Sequence, residues 1–269
     1  MAFECIDATN GVRWLRSRLL HEAGVPHGFS TRVGGVSPAP FDTLNLGLAD
    51  APGEGDSWER VCENWRRFLQ AVGLGDRALV RARQVHAAGV IDADRVDGAV
   101  RMRPPFPEGD AIVTGDAMHA ISVRVADCAP VLLADPEAGL VAAVHSGWRG
   151  TVAGVVPRAV ERMLERGARA DRMLAAIGPC IGAGAFEVGP EVRDAFEQEG
   201  LGGCVVAAHA AGKGLVDLAG SITVQLGKLG LKRALIDVDG GCTVGLPTLH
   251  HSHRRDGARS GRASCIIGL

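Results

Sequence analysis

The chain has 269 residues, 46% of them hydrophobic and 22% charged, which is length and apolar material enough for a sizeable buried core. With 29 basic against 31 acidic residues the formal charge is -2, so no overall positive field is available to hold nucleic acid or an anionic membrane, and small molecules are the expected partners. Seven scattered cysteines with no Cys-x-x-Cys pair argue against a disulfide scaffold, and Arg124 and Asp127 break the best apolar run before it could span a bilayer. The opening Met-Ala-Phe-Glu-Cys-Ile-Asp lacks the basic and apolar regions of a secretion signal, so a soluble cytoplasmic protein is expected.

The first strongly periodic segment, 56–72, places Trp58, Val61, Cys62, Trp65, Phe68, Leu69 and Val72 at helical spacing. Asp56 and Glu59 suit its start, Gly73 suits its end, and Cys62 is expected in the core. β-rich runs follow at 79–85, 111–114, 120–126, 131–134 and 140–144. The last two are joined by Asp135-Pro136-Glu137-Ala138-Gly139, a tight turn that makes them an antiparallel hairpin rather than a βαβ unit. A helix is expected over 151–164, kinked by Pro157, with shorter helices over 190–198 and 218–229 and a strand at 234–238. No repeat, linker or low-complexity run divides the chain, so one mixed α/β domain over 1–269 is expected.

The hairpin carries the first chemical signal. Pairing Ala134 with Leu140 sets position 129 opposite 145, and a bulge at Gly139 shifts this by one; in either register Cys128 comes beside His145. Opposite residues in a sheet have Cβ atoms about 5 Å apart, close enough for one metal ion to bridge imidazole and thiolate. A lone cysteine is most often packing and a lone histidine at a strand end is most often surface, so context has to decide. Pro130 should interrupt pairing after Cys128, and His145 opens Ser146-Gly147-Trp148-Arg149-Gly150 before a helix, whose N-terminal N–H groups favour an anion such as phosphate.

These segments carry a resemblance that runs nearly the length of the chain. It passes through His27-Gly-Phe-Ser-Thr-Arg-Val-Gly-Gly-Val-Ser37, Asn45-Leu-Gly47, Arg83-Gln-Val-His86, Gly109-Asp-Ala-Ile-Val-Thr114, Ala126-Asp-Cys-Ala-Pro130 and His145-Ser-Gly-Trp-Arg-Gly150. It continues through Ile177-Gly-Pro-Cys-Ile181, Phe186-Glu-Val188 and Ser252-His-Arg-Arg-Asp-Gly257. In these motifs the chain closely resembles the laccase-domain family, also described as multicopper polyphenol oxidase-like, purine nucleoside phosphorylase-like or peptidoglycan-editing proteins. The resemblance implies an α/β fold of layered sheets covered by helices, monomeric or weakly self-associating. It also implies a third ligand, His86, which joins Cys128 and His145 around zinc as a catalytic trio with a fourth position open for water or substrate.

Substrate and phosphate contacts are expected at Arg32, Asn45, Gln84, Arg149 and Arg255. Gln84 and His86 share a face if both lie in a strand, although a structural amide is an equal reading. The Gly34-Gly35 turn lets backbone approach a phosphate, or is an ordinary hairpin; Asp127 should face away from its neighbour Cys128; Cys180 reads as readily as a buried thiol as a reactive one. The implied activity is phosphorolysis of adenosine, inosine or methylthioadenosine, with adenosine deaminase activity at the same zinc site. Copper-dependent oxidation of phenols is disfavoured because only nine histidines are present and only His251-Ser-His253 has His-x-His spacing. A peptidoglycan-precursor amidase would use the same ligands, so the sequence does not separate it from the nucleoside reading.

Overall fold

Apolar side chains alternating along the strands build two sheets with two greasy faces each, and helices cover the outer ones. The computed structural model describes residues 2–47, 55–95, 105–208 and 212–269. Its strands are β1 (Phe3–Asp7), β2 (Arg13–Ser17), β3 (His27–Ser30), β4 (Ala78–Arg81), β5 (Val90–Asp92), β6 (Ala111–Thr114), β7 (His119–Val125) and β8 (Ala129–Asp135). They continue with β9 (Leu140–Ser146), β10 (Leu174–Ile177), β11 (Glu187–Val188), β12 (Val205–Ala208), β13 (Gly214–Val216), β14 (Ile236–Val238) and β15 (Ala263–Gly268). The helices are α1 (Arg18–Glu22), α2 (Trp58–Ala71), α3 (Trp148–Val152), α4 (Val155–Glu165), α5 (Pro190–Gln198), α6 (Leu218–Lys228) and α7 (His253–Asp256).

One six-stranded sheet runs β1-β2-β3-β15-β7-β4 and the other β14-β10-β8-β9-β6-β5, with a small third sheet β11-β13-β12. Ile121, Val123, Cys265 and Ile267 of the first meet Leu132, Ala134, Val141 and Ala143 of the second in a shared core. The alternate residues Val131, Leu133, Ala142 and Val144 face outward against Val156, Val160 and Met163 of α4 and Ile222 and Leu226 of α6. On the far side, Leu79, Ala120 and Ile266 pack on Val61, Trp65 and Phe68 of α2. The result is the expected α/β/β/α layering. Among the described residues no helix is long and apolar enough to cross a membrane.

Helix α2 lies where its periodicity placed it, capped by Ser57, whose Oγ accepts from Arg60 N–H, and followed by Gly73 at φ +75°. Cys62 is half-buried rather than core. The helix expected over 151–164 is two helices, because Gly154 takes φ +75° and breaks the chain there. Pro157 thereby falls in the first turn of α4, where its missing N–H has no intrahelical acceptor to lose and no kink results. The strand expected over 79–85 stops at Arg81, which leaves Gln84 and His86 on irregular backbone, and 234–235 lie in a short 3-10 turn before β14.

Candidate metal centre and cleft

The central hairpin sets the site. Asp135 pairs with Leu140, Pro130 with His145 and Ala129 with Ser146, the register obtained when Gly139, at φ +61°, takes up one more residue in the turn. Pro130 does not interrupt this pairing: β8 runs through it, and its carbonyl still accepts from Gly178 N–H at 2.9 Å. The break falls at Asp127, φ +84°, which with His86, φ +57°, makes up the non-glycine residues at positive φ among those described. Both outliers stand at the site, where stored backbone strain is most often found.

His86, Cys128 and His145 offer ligand atoms that all lie within 4.8 Å of one another, the one such trio among the described residues. The two imidazoles meet edge to face with centroids 4.8 Å apart. His86 comes from the segment after β4, whereas Cys128 precedes β8 and His145 lies in β9, so the trio bridges the two large sheets. Behind it sits Asp110, fully buried: its Oδ1 accepts from His145 Nδ1 at 2.8 Å and from His86 N–H at 3.0 Å, and its Oδ2 accepts from Ala87 N–H at 2.8 Å. This carboxylate fixes the His145 tautomer and leaves Nε2 for a ligand bond. Gly147 closes the site from the other side, since a Cβ there would stand 2.8 Å from Cys128 Sγ and 3.5 Å from His86 Cδ2.

The electrostatics suit a cation. Burial pushes the Cys128 thiol up, but His145 and hydrogen bonds with both imidazoles outweigh it and hold the thiol at about 6. Burial likewise pulls His145 down, and the Cys128 thiolate and Asp110 carboxylate overcome it, raising the imidazole to about 9. The lowered thiol favours the thiolate, which is the form that binds a metal ion. Two nitrogens, one thiolate sulfur and a carboxylate behind a ligating imidazole are the donor set of a three-ligand transition-metal site, so these residues fit a metal ion.

The trio lines a cleft of about 950 Å³. Its other walls combine apolar Trp148, Ile181, Phe186 and Leu218 with five arginines, Arg83, Arg124, Arg254, Arg259 and Arg262. Of the contacts expected from sequence, Asn45 and Gln84 lie in this lining and Arg32, Arg149 and Arg255 do not. The Gln84 amide is spent on the Arg124 backbone, accepting its N–H at 2.9 Å and donating to its carbonyl at 2.7 Å. Asn45 accepts from Gly47 and Arg262 N–H groups. Arg32 reaches Asp42 and the Pro247 carbonyl; Arg149 lies 4.3 Å over the Trp148 ring; Arg255 binds the Thr243 and His250 carbonyls and Asp256.

The glycines of the 30–35 segment serve the protein's own packing, because a Cβ at Gly34 or Gly35 would strike the Gly11 or Thr43 carbonyl at 2.2 and 2.1 Å. Asp127 is consumed as an anchor, its carboxylate accepting from Thr243 Oγ1 at 2.5 Å and Arg254 N–H at 2.6 Å. Cys180 is fully enclosed, with burial driving its thiol far up, and bridges Cys242 backbone to backbone. Sequence reasoning passed over Asp110, Gly147 and Arg259, and in the arginine-bearing motif at 252–257 it favoured Arg255, whereas Arg254 and His253 are the ones that line the cleft. The signal for Asp110 was its place at the head of the Gly109–Thr114 motif, and His253 was weighed only as a copper ligand.

Residues 26–269 match the family described as multi-copper polyphenol oxidoreductase laccase. A Deinococcus radiodurans protein named purine nucleoside phosphorylase is 39% identical over 245 residues, spanning 91% of this chain and 89% of its own. A Mycobacterium tuberculosis protein bearing the same name is 41% identical over 241 residues, spanning 89% and 90%. Among solved structures, the hypothetical protein YfiH of Bacillus licheniformis superposes with a TM-score of 0.85 at 28% identity over 98% and 97% of the two chains. YlmD of Geobacillus stearothermophilus does so with 0.82 at 31% identity over 95% of both. With the match running from β3 to the last strand and through every side chain of the trio, the chain belongs to the multi-copper polyphenol oxidoreductase laccase family.

Proposed function

We propose that this chain is a purine nucleoside phosphorylase that holds zinc at His86, Cys128 and His145. The observation that carries the reading is the imidazole–thiolate–imidazole trio inside a cleft whose lining is part apolar and part arginine. The names of the relatives at 39% and 41% identity support the substrate class. A volume near 950 Å³ is at the upper end for small-molecule sites and accommodates nucleoside and phosphate together.

In phosphorolysis a phosphate oxygen attacks ribose C1′, the C1′–N9 bond breaks, and the purine departs with the bonding pair, leaving ribose 1-phosphate. The arginines draw phosphate into the cleft; the Arg259 side chain makes no hydrogen bond or ion pair within the described residues and is available to hold it. Trp148 and Phe186 give the purine apolar surface. Zinc, when bound, supplies Lewis-acid stabilisation of charge developing on oxygen. The same trio supports adenosine deamination as a second activity.

Zinc is favoured over copper because a multicopper centre requires several ligand clusters, and one trio is present among the described residues. Zinc-loaded protein incubated with adenosine and phosphate should yield adenine and ribose 1-phosphate, while the Cys128→Ala variant yields none. Adenine and inosine both at the level of that variant would refute the reading.

A further inference from the structure

Phosphorolysis leaves one role unassigned. The departing purine carries the electron pair of the C1′–N9 bond, and a proton delivered to N7 makes it a far better leaving group. A guanidinium is a hydrogen-bond donor that does not give up its proton in proteins, so arginine is no candidate for the acid. Asp56 is committed to Ser37, Asn45 and Arg60, and Asp127 to Thr243 and the Arg254 backbone. Apart from the metal trio, His253 is the remaining imidazole among the described residues that line the cleft, and imidazole is the side chain most often used as a general acid.

The His251-Ser-His253 pair divides sharply in the fold. His251 is 1% exposed and locked in the core, whereas His253 is exposed to the cleft and makes no side-chain hydrogen bond or ion pair among the described residues. Its mounting is firm on both sides. Ser252 Oγ accepts from Arg255 N–H at 3.2 Å, and Arg254 N–H donates to Asp127 at 2.6 Å, the residue immediately before Cys128. The free imidazole is thus carried on backbone tied to the metal centre.

We propose that His253 is the general acid of the reaction, contacting the purine and protonating its N7 as the C1′–N9 bond breaks. This rests on the phosphorolysis reading above. The imidazolium gives its proton to the purine; hydrogen phosphate forms the new C1′–O bond; the ester's remaining acidic proton then returns to the imidazole, restoring it.

The test compares inosine with 7-methylinosine, whose base carries a methyl group at N7 and leaves without protonation. Zinc-loaded wild type, His253→Asn and His253→Gln are assayed with phosphate for release of free base. Both variants should lose about a hundredfold or more in kcat on inosine. On 7-methylinosine they should lose less than threefold. Equal losses on the two substrates, or undiminished turnover of inosine, would overturn the role of His253 and leave phosphorolysis standing. Wild type that releases base from neither substrate would overturn the phosphorolysis reading, and the acid role with it.

Discussion

Gly147→Ala tests the metal centre without touching a ligand. Gly147 is the N-cap of α3 at φ -78°, ψ 175°, a backbone that alanine adopts freely, so the substitution introduces no backbone strain. The added methyl group would sit 2.8 Å from Cys128 Sγ. Carbon needs about 3.5–4.0 Å to a carbon-sized neighbour, so the sulfur must retreat by roughly 0.7–1.2 Å or swing about χ1. Either motion takes it away from His86 and His145, and metal–ligand distances tolerate only about 0.2 Å. Zinc affinity should therefore fall at least about tenfold, the low end for disturbing the surroundings of a metal ligand. Competition titration against a chromophoric chelator measures it, with thermal unfolding of the metal-free protein as the control for fold. Affinity within twofold of wild type, at unchanged thermal stability, would show that the thiol does not sit where the ion binds.

Asp110→Asn should weaken zinc binding by about 10–100-fold, because the charged acceptor on His145 Nδ1 is lost. It should also cost about 1–3 kcal/mol of stability, since the amide NH₂, whichever oxygen it replaces, would face the backbone N–H of His86 or that of Ala87; unchanged zinc affinity would refute this role. His27 accepts from Ser17 N–H through Nε2 and bonds the Val25 carbonyl through Nδ1, an arrangement only the neutral ring satisfies, and burial holds it at about 4 against an ordinary 6.5. The folded-state value is the depressed one, so this stability is fully present above pH 6.5 and drains away as pH falls toward 4. Between pH 7 and pH 5 the loss from His27 alone is about 2 kcal/mol, read by urea unfolding. His250 and His251, also at about 4, add to it, and an acid limb equally steep in His27→Gln would count against the assignment.

Local patterns in the sequence were enough for α2, α5, α6 and the β8–β9 hairpin. Helical spacing, capping residues and a Pro/Gly turn act over a few residues and need no partner from elsewhere. Hairpin geometry likewise placed Cys128 beside His145, and resemblance supplied His86. Tertiary structure alone decided the rest. The register followed from φ at Gly139, the division of the 151–164 helix from φ at Gly154, and the depth of the site from the packing of two sheets. No spacing rule brings His86 from the first sheet to Cys128 and His145 of the second, sets Asp110 behind them, or turns Arg254 into the cleft while binding Arg255 to Thr243 and His250. The placing of Asp110 behind the trio and of Arg254 beside Asp127 depends on contacts between residues 24 to 127 apart in the chain, and such contacts exist only once the intervening chain has been folded away.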